Sequence, residues 1–576
     1  MGGANFFGAG VRAARTLRLD MNFLMSAAIV AAILIGEPFE AGALAFLFSL
    51  AELLERYAVD RGRRSIAKLL ELAPEQADRL RPDGSVETIT VDALRIGDLV
   101  RVRPGDKIPA DGRVVAGSSG INEATITGES LPRTRSAGDP VFASTLNLEG
   151  SLDIQVTADA AHSTLARIVQ LVREAESRRA PVEEFVKRFA RVYTPAATIA
   201  ALLVMVGPPL LLGAPALEWF VRGITLLVIA CPCALVIATP VTVVSALTSA
   251  ARNGVLIKGG EYLEALGGIG ALAIDKTGTL TRGVLSVIGF ESKGAPPERL
   301  LGWVASLEAR SEHPVARAIV AFAQGRGVKP DARVEAFTSV PGRGVKGRVD
   351  GLEVTIGTEE LVSKHVVEAW GEPEAGTLRV YVETTDGAHG FLALTDQIRE
   401  SAPAVVRRLH ELGIRPVVML TGDAAGPAQS VGKALGVDQV RWRLLPEEKV
   451  EAVKELRNDF GAVAMLGDGV NDAPALAEAT VGLAMGAAGS PATIETADIA
   501  LMADDLSKLP YVVRLARQTR RTIRFNLALA LGLKLVLAAG AVLGVVSLAL
   551  AVLVGDMGGS LFVTLNALRL ARMREG

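Results

Sequence analysis

The sequence predicts a multidomain α-helical membrane protein with large cytosolic α/β and β-rich portions. Three observations point there. Half of the 576 residues are hydrophobic while 22% are charged, and the two kinds are segregated along the chain. Apolar stretches near span length carry basic residues on their outer flanks, the pattern of helical hairpins with cytosolic ends. Between them, short apolar runs end in glycine and a carboxylate, as parallel strands do where a sheet holds a ligand.

Composition removes other classes. A net charge of −2 argues against a nucleic-acid binder. The chain has two cysteines, too few for a disulfide framework, which fits a reducing cytosol for the soluble parts. No small-residue cleavage site follows the first apolar run. Solenoid repeats and low-complexity tracts are absent from the sequence.

In chain order, residues 5–19 mix Phe6, Phe7, Val11 and Leu17 with Arg12, Arg15 and Arg18, an amphipathic segment for a membrane surface. Phe23–Gly36 and Ala41–Leu54 follow as a hairpin, with Arg61, Arg63 and Arg64 on its far flank. From Ala73 to Val156 alternating runs such as Val86–Val91 are punctuated by Gly and Pro, a small β-rich domain. It presents Thr127-Gly128-Glu129-Ser130, where Glu129 is placed to act as a general base unless the turn is merely solvated. A charged helix over 162–190 leads to spans at Tyr193–Leu212 and Phe220–Leu247. The second span contains Cys231-Pro232-Cys233. Proline there frees a backbone carbonyl, and two thiols beside it suit a soft or borderline cation; two inert cysteines at a kink are the alternative. Ile523–Leu568 holds two more spans' length, with Lys534 and Asp556 inside it, and Arg569, Arg572 and Arg574 close the cytosolic side.

The long polar block between these spans opens on Ile269–Ile274, a buried strand, followed by Asp275-Lys276-Thr277-Gly278-Thr279. Asp275 at a strand end can attack a γ-phosphate and hold it as an acyl phosphate, with Lys276 beside it and Gly278 giving the turn. An Asp capping the next helix is the other reading. Pro416–Leu420 then leads to Thr421-Gly422-Asp423, and Ala462–Leu466 to Gly467-Asp468-Gly469-Val470-Asn471-Asp472. Three such ends would bring Asp275, Asp423 and Asp468 to one crevice, a carboxylate set suited to Mg²⁺. The inserted region, about 285–390, carries Glu308, His313-Pro314 and Gly342-Arg343-Gly344, a candidate nucleotide module; on spacing alone a surface His and a turn are the better reading.

Taken in this order, the motifs resemble those of heavy-metal P-type ATPases over essentially the whole chain. The resemblance implies six transmembrane helices, a β-rich actuator domain, an α/β phosphorylation domain like that of haloacid dehalogenases and an inserted α+β nucleotide-binding domain. It places an amphipathic platform at 1–20 and a first hairpin at 21–72. The actuator follows at 73–180, and spans three and four at 181–249. The phosphorylation domain takes 250–284 and 391–515, the nucleotide domain 285–390, and the last spans 516–576. It implies that ATP phosphorylates Asp275. Asp275, Thr277 through its carbonyl, Asp468 and Asp472 would hold Mg²⁺. Lys276, Thr279, Thr421, Gly422, Asp423, Lys449 and Asn471 would support the site, and Glu129 would direct hydrolysis. Glu308, His313, Gly342 and Gly344 would contact the nucleotide.

For the cargo, Leu533-Lys534 and Asp556-Met557-Gly558 stand where copper pumps of the family carry other residues. This resembles the zinc, cadmium and lead branch. Cys231, Cys233 and Asp556 would bind the metal, Lys534 would be its counter-ion, and Glu52 an exit ligand. Cu⁺ export, or a non-transporting metal-binding relative, is the alternative. The resemblance further implies a monomer in a bacterial inner membrane, with both termini cytosolic. It departs from the family pattern at Asn122, where an Asp is common. The two helices and the metal-binding module that usually come first are also not found ahead of residue 21.

Overall fold

The computed structural model describes residues 26–27, 29–31, 33, 36, 38, 41–42, 45–46, 49, 53, 74, 76–123, 132–159, 163–164, 166, 170, 180–340, 343–371, 377–469, 472–486 and 491–573. The chain divides into two compact units, Ile269–Met485 and the remainder, Met1–Gly268 with Gly486–Gly576.

In the second of these, a six-stranded sheet has the order Val86–Thr90, Gln76–Leu80, Leu99–Val102, Leu152–Val156, Gly112–Ala116, Pro140–Val141. Alternation sets its faces: Val100 and Val102 are buried, while Arg101 between them makes a two-pronged ion pair with Asp153. A three-stranded sheet, Arg133–Ser136, Ser118–Asn122, Leu146–Asn147, lies beside it in the chain. Ile108, Val114, Ile121, Leu152 and Ile154 form the core of this β-rich domain. Buried Glu123, just past the central strand, takes two hydrogen bonds from Arg135, at 2.8 and 2.9 Å.

Among the described residues four helical stretches are long and apolar enough to cross a membrane. Helix α1, Pro181–Leu212, starts earlier than the expected span. Pro181 occupies its first turn with Glu183 and Glu184, so the charged stretch and the apolar one form a single helix, ended by Gly213 at φ +64°. Leu210, Leu211 and Leu212 are exposed, as lipid-facing residues would be. The expected span Phe220–Leu247 is broken into α2, Ala216–Ile229, and α3, Cys233–Arg252. Pro232, which has no N–H, stands in the gap. Helix α4 is Lys508–Val542. After Gly544 at φ +78°, the last run from Leu548 to Leu568 widens to π turns over Ala551–Gly558, around Asp556.

The expected first hairpin lies largely outside the described residues, so four of the six expected spans are seen. Ile29 and Ala41, which are described, pack with Ile224 and Val228 of α2 and with Leu548 and Val552. At the other end of the helices, one buried knot joins three of them. The Tyr511 hydroxyl of α4 lies 2.9 Å from Ser249 Oγ and 2.8 Å from Asn253 Nδ2, at the end of α3. Ser249 Oγ also donates to the Met573 carbonyl, 2.9 Å away, at the end of the last run.

The unit Ile269–Met485 contains a parallel sheet and an antiparallel one. The strands that matter here are β1 (Ala271–Asp275), β2 (Thr281–Lys293), β3 (His389–Ile398), β4 (Val417–Leu420) and β5 (Val463–Gly467). In the parallel sheet β1 lies between β5 and β4, with Val481–Ala484 beyond β5 and Gln439–Arg441 beyond β4. Strands β1, β4 and β5 are buried throughout, which is why their sequences are continuous apolar runs. Strands β2 and β3 belong to a six-stranded antiparallel sheet, covered by helices Pro297–Glu308 and Pro314–Gly325. They pair from Lys293–His389 down to Thr281–Ile398, so the inserted sheet reaches past the expected limits at 285 and 390.

Candidate active site

The register of the parallel sheet builds the site. Asp275 of β1 is level with Leu420 of β4, and Ile274 with Leu466 of β5. The segments Thr421–Asp423 and Asp468 therefore leave the sheet beside Asp275. Beyond Asp275 the chain turns through Thr277, extended at ψ 125°, and Gly278 at φ +75°, a conformation that favours glycine. Lys276 forms an ion pair with Asp423.

Asp275 is 5% exposed. Its Oδ1 accepts from Lys449 Nζ at 2.6 Å, and the same ammonium reaches Asp472 Oδ1 at 2.7 Å. Lys449 comes from the first turns of helix Pro446–Phe460, fixed by Glu448, whose carboxylate accepts from the Leu445 N–H. Gly467 makes room for Asp472: a Cβ there would come within 2.6 Å of Asp472 Oδ2. Burial, and then the Asp472 carboxylate, push Asp275 up to about 6 against the pull of Lys449. Burial lowers Lys449, but Asp275 and Asp472 outweigh it and hold the ammonium above its ordinary value.

The Thr279 hydroxyl is buried and has no hydrogen-bond partner among the described residues. Thr421 Oγ1 accepts from the Asp423 N–H at 3.1 Å. Asp468 is half-buried at the end of β5. Asp275, Asp468 and the Thr277 carbonyl offer only oxygen, the donor type that Mg²⁺ requires. Among the described residues no three His, Cys, Asp or Glu side chains form a ready cage. Asn471 and Glu129 lie outside the described residues.

In the antiparallel part, Glu308 ends helix Pro297–Glu308, 5% exposed, and burial pushes its carboxyl up to about 7. His313 is exposed and caps helix Pro314–Gly325, its Nδ1 accepting from the Val315 N–H. Gly344 is needed by the sheet itself, since a Cβ would run into the Ile356 carbonyl. Gly342 lies outside the described residues.

In the membrane helices, Cys231 is buried at the α2–α3 break. The metal-binding form of cysteine is the thiolate. Lys534 and Asp556 are 5% and 7% exposed. Lys534 gives its ammonium to the Ile229 carbonyl freed at the break, 3.0 Å away, rather than to Asp556. Asp556 Oδ1 is buried with no partner among the described residues. Glu52 and the Cys233 side chain lie outside the described residues.

One residue at the loop after Asp275 escaped the sequence reading. Arg399, one position beyond β3, is buried against the loop after Asp275. Its only signal in the sequence is a lone Arg where an apolar strand ends.

Comparison with known proteins agrees with this arrangement. Residues 71–173 match the P-type ATPase actuator domain and residues 269–480 the haloacid dehalogenase-like hydrolase family. The cadmium-transporting ATPase of Staphylococcus aureus is 42% identical over all of this chain and 80% of its own length. The zinc/cadmium/lead-transporting P-type ATPase of Escherichia coli (strain K12) is 42% identical over 96% of this chain and 75% of its own. The crystal structure of a zinc-transporting PIB-type ATPase superposes with a TM-score of 0.66 at 39% identity, over 99% of this chain and 94% of that one. With such relatives matched along its whole length, the chain belongs to the heavy-metal P-type ATPases, integral membrane enzymes that hydrolyse ATP.

Proposed function

We propose that the protein exports divalent heavy metals, Zn²⁺, Cd²⁺ and Pb²⁺, from the cytosol, driven by ATP through a phosphorylated Asp275. The observation that carries this reading is the buried Asp275 carboxylate, held at a strand end by Lys449, beside a Thr279 hydroxyl that has no partner among the described residues. With Oδ1 taken by Lys449, Oδ2 is the attacking atom. It bonds to the γ-phosphorus of ATP as the bond from that phosphorus to the β-phosphate oxygen breaks, and ADP leaves with the electron pair. A carboxyl at about 6 is mostly ionised at neutral pH, as a nucleophile must be.

Thr279, Thr421 and the Gly422 N–H are donors for the transferring oxygens, Lys276 stays pinned by Asp423, and Asn471 supports the loop. Asp275, Asp468 and the Thr277 carbonyl, with Asp472 behind them, would hold Mg²⁺, which supplies charge neutralisation for the phosphoryl group. Glu308, His313, Gly342 and Gly344 receive the nucleotide. Glu129 aims a water at the acyl phosphate, which releases inorganic phosphate and restores Asp275.

Cys231 and Cys233, as thiolates, bind the metal with Asp556, whose Oδ1 has no partner among the described residues and would be satisfied by a divalent ion; a hard carboxylate suits Zn²⁺ or Cd²⁺ better than Cu⁺. Lys534 balances the charge when metal leaves, and Glu52 takes it at the exit. We place the protein as a monomer in a bacterial inner membrane with both termini cytosolic. ATPase activity of the reduced, purified protein tests the reading, measured with Zn²⁺, Cd²⁺, Pb²⁺, Co²⁺ and Cu⁺. Zn²⁺ or Cd²⁺ should stimulate it, and Asp275→Asn and Asp556→Ala should abolish the stimulation. Activity indifferent to metal, or greatest with Cu⁺, overturns it.

A further inference from the structure

The loop that follows Asp275 is gripped from behind by one residue. Arg399 is 7% exposed. Its Nε donates to the carbonyls of Thr279 at 2.8 Å and Thr281 at 3.1 Å, and a terminal nitrogen donates to Gly278 O at 3.0 Å. Its backbone N–H donates to Leu280 O at 3.0 Å. The carbonyls of Gly278 to Thr281 are thus all held by a single side chain and its own peptide. Thr281 completes the cradle: its hydroxyl accepts from the Gly278 N–H, and lies 2.5 Å from Asp396 Oδ2 and 2.9 Å from Lys276 O.

A guanidinium is suited to this work. It is planar and permanently charged, and its five N–H groups are fixed relative to one another, so it defines where several carbonyls sit at once. The carbonyls it fixes include that of Thr279, whose buried hydroxyl has no partner among the described residues. The cradle also joins the two strands that carry the inserted sheet, because Thr281 opens β2 and Arg399 follows the end of β3, where Thr281 pairs with Ile398.

We infer that Arg399 is a positioning residue for phosphoryl transfer: its grip on the Gly278–Thr281 carbonyls aims the Lys276–Thr279 loop at the phosphoryl group taken by Asp275. This rests on the reading of Asp275 as the acceptor. A purely structural Arg would make the same bonds, so the test must separate aim from folding.

The experiment uses the full chain, reduced and in detergent, with rapid-quench measurement of phosphoenzyme formation from labelled ATP in the presence of Zn²⁺. Arg399→Lys keeps the charge and loses the fork. Its maximal rate of phosphorylation should fall about ten- to a hundredfold, the scale of a misplacement near the chemistry, while KM for ATP stays within about twofold. Fluorescence of the buried Trp303 should report an unchanged folded fraction. A wild-type rate, a loss confined to KM, or a loss that tracks unfolding would each overturn the inference. If Arg399→Lys does not fold, Thr281→Val takes its place with the same expectation and the same refutation, since it removes the hydroxyl of the same cradle. Phosphoenzyme that persists in Asp275→Asn overturns the acceptor reading itself and this inference with it. Its loss in Asp275→Asn alongside an unimpaired Arg399→Lys overturns the inference alone.

Discussion

Glu308 makes the stability of the inserted module depend on pH in a direction opposite to the usual carboxylate. Its carboxyl titrates at about 7 in the fold against 4.5 in the open chain, because burial disfavours the charge. Below pH 4.5 both states are neutral and Glu308 costs nothing. Between 4.5 and 7 the unfolded chain releases its proton while the fold retains one, so stability falls as pH rises. Above 7 both states are charged and the loss is complete. A difference of 2.5 units, 7 minus 4.5, at about 1.36 kcal/mol each, comes to about 3 kcal/mol. Glu308→Gln keeps the shape and removes the charge. It should leave stability unchanged near pH 4.5 and add about 3 kcal/mol at pH 8. Trp303, on the same helix and 4% exposed, is the local reporter in urea titrations of the full chain. A variant-minus-wild-type difference that is flat with pH, or a loss at pH 8, would refute the reasoning.

Other outcomes follow from the same geometry. Lys449→Met leaves the buried carboxylates of Asp275 and Asp472 facing each other without their cation, so urea titration should show a loss of about 3–5 kcal/mol. Gly278→Ala meets no neighbour within 4 Å but must adopt φ +75°, so it should cost about 1–2 kcal/mol and slow phosphoenzyme formation without changing ATP binding by calorimetry. Lys534→Met removes the donor to the Ile229 carbonyl while leaving the phosphorylation site intact; metal stimulation should be lost and phosphorylation by inorganic phosphate retained.

The strand-end carboxylates were legible because fully buried parallel strands leave continuous apolar runs, and β1, β4 and β5 each stand out that way. The broken span was legible at Pro232, though not its division into two helices. The start of α1 was not, since Glu183 and Glu184 read as a separate charged helix when they are the first turn of the membrane helix. Lys449 came only from the family resemblance: it lies 174 positions from Asp275, and nothing local distinguishes it from the neighbouring charges of its helix. Arg399 was hidden for a related reason, because its partners are backbone carbonyls, which leave no mark on sequence. The pairing of Lys534 with a freed carbonyl instead of Asp556 likewise depends on where the chain breaks, which spacing does not encode.

The knot at Tyr511 turns the membrane helices into levers with a shared fulcrum. Lys534 is 23 positions beyond Tyr511 on α4, an arm of roughly 35 Å at 1.5 Å per residue. Cys233 is 16 positions before Ser249 on α3, an arm of roughly 24 Å. A tilt of about 5° about that fulcrum carries Lys534 roughly 3 Å and the start of α3 roughly 2 Å. The difference of roughly 1 Å opens between them only where α3 and α4 tilt independently about the knot. The hydroxyl of one tyrosine thereby ties the tilt of α4 to that of α3 and, through Ser249, to the end of the last run.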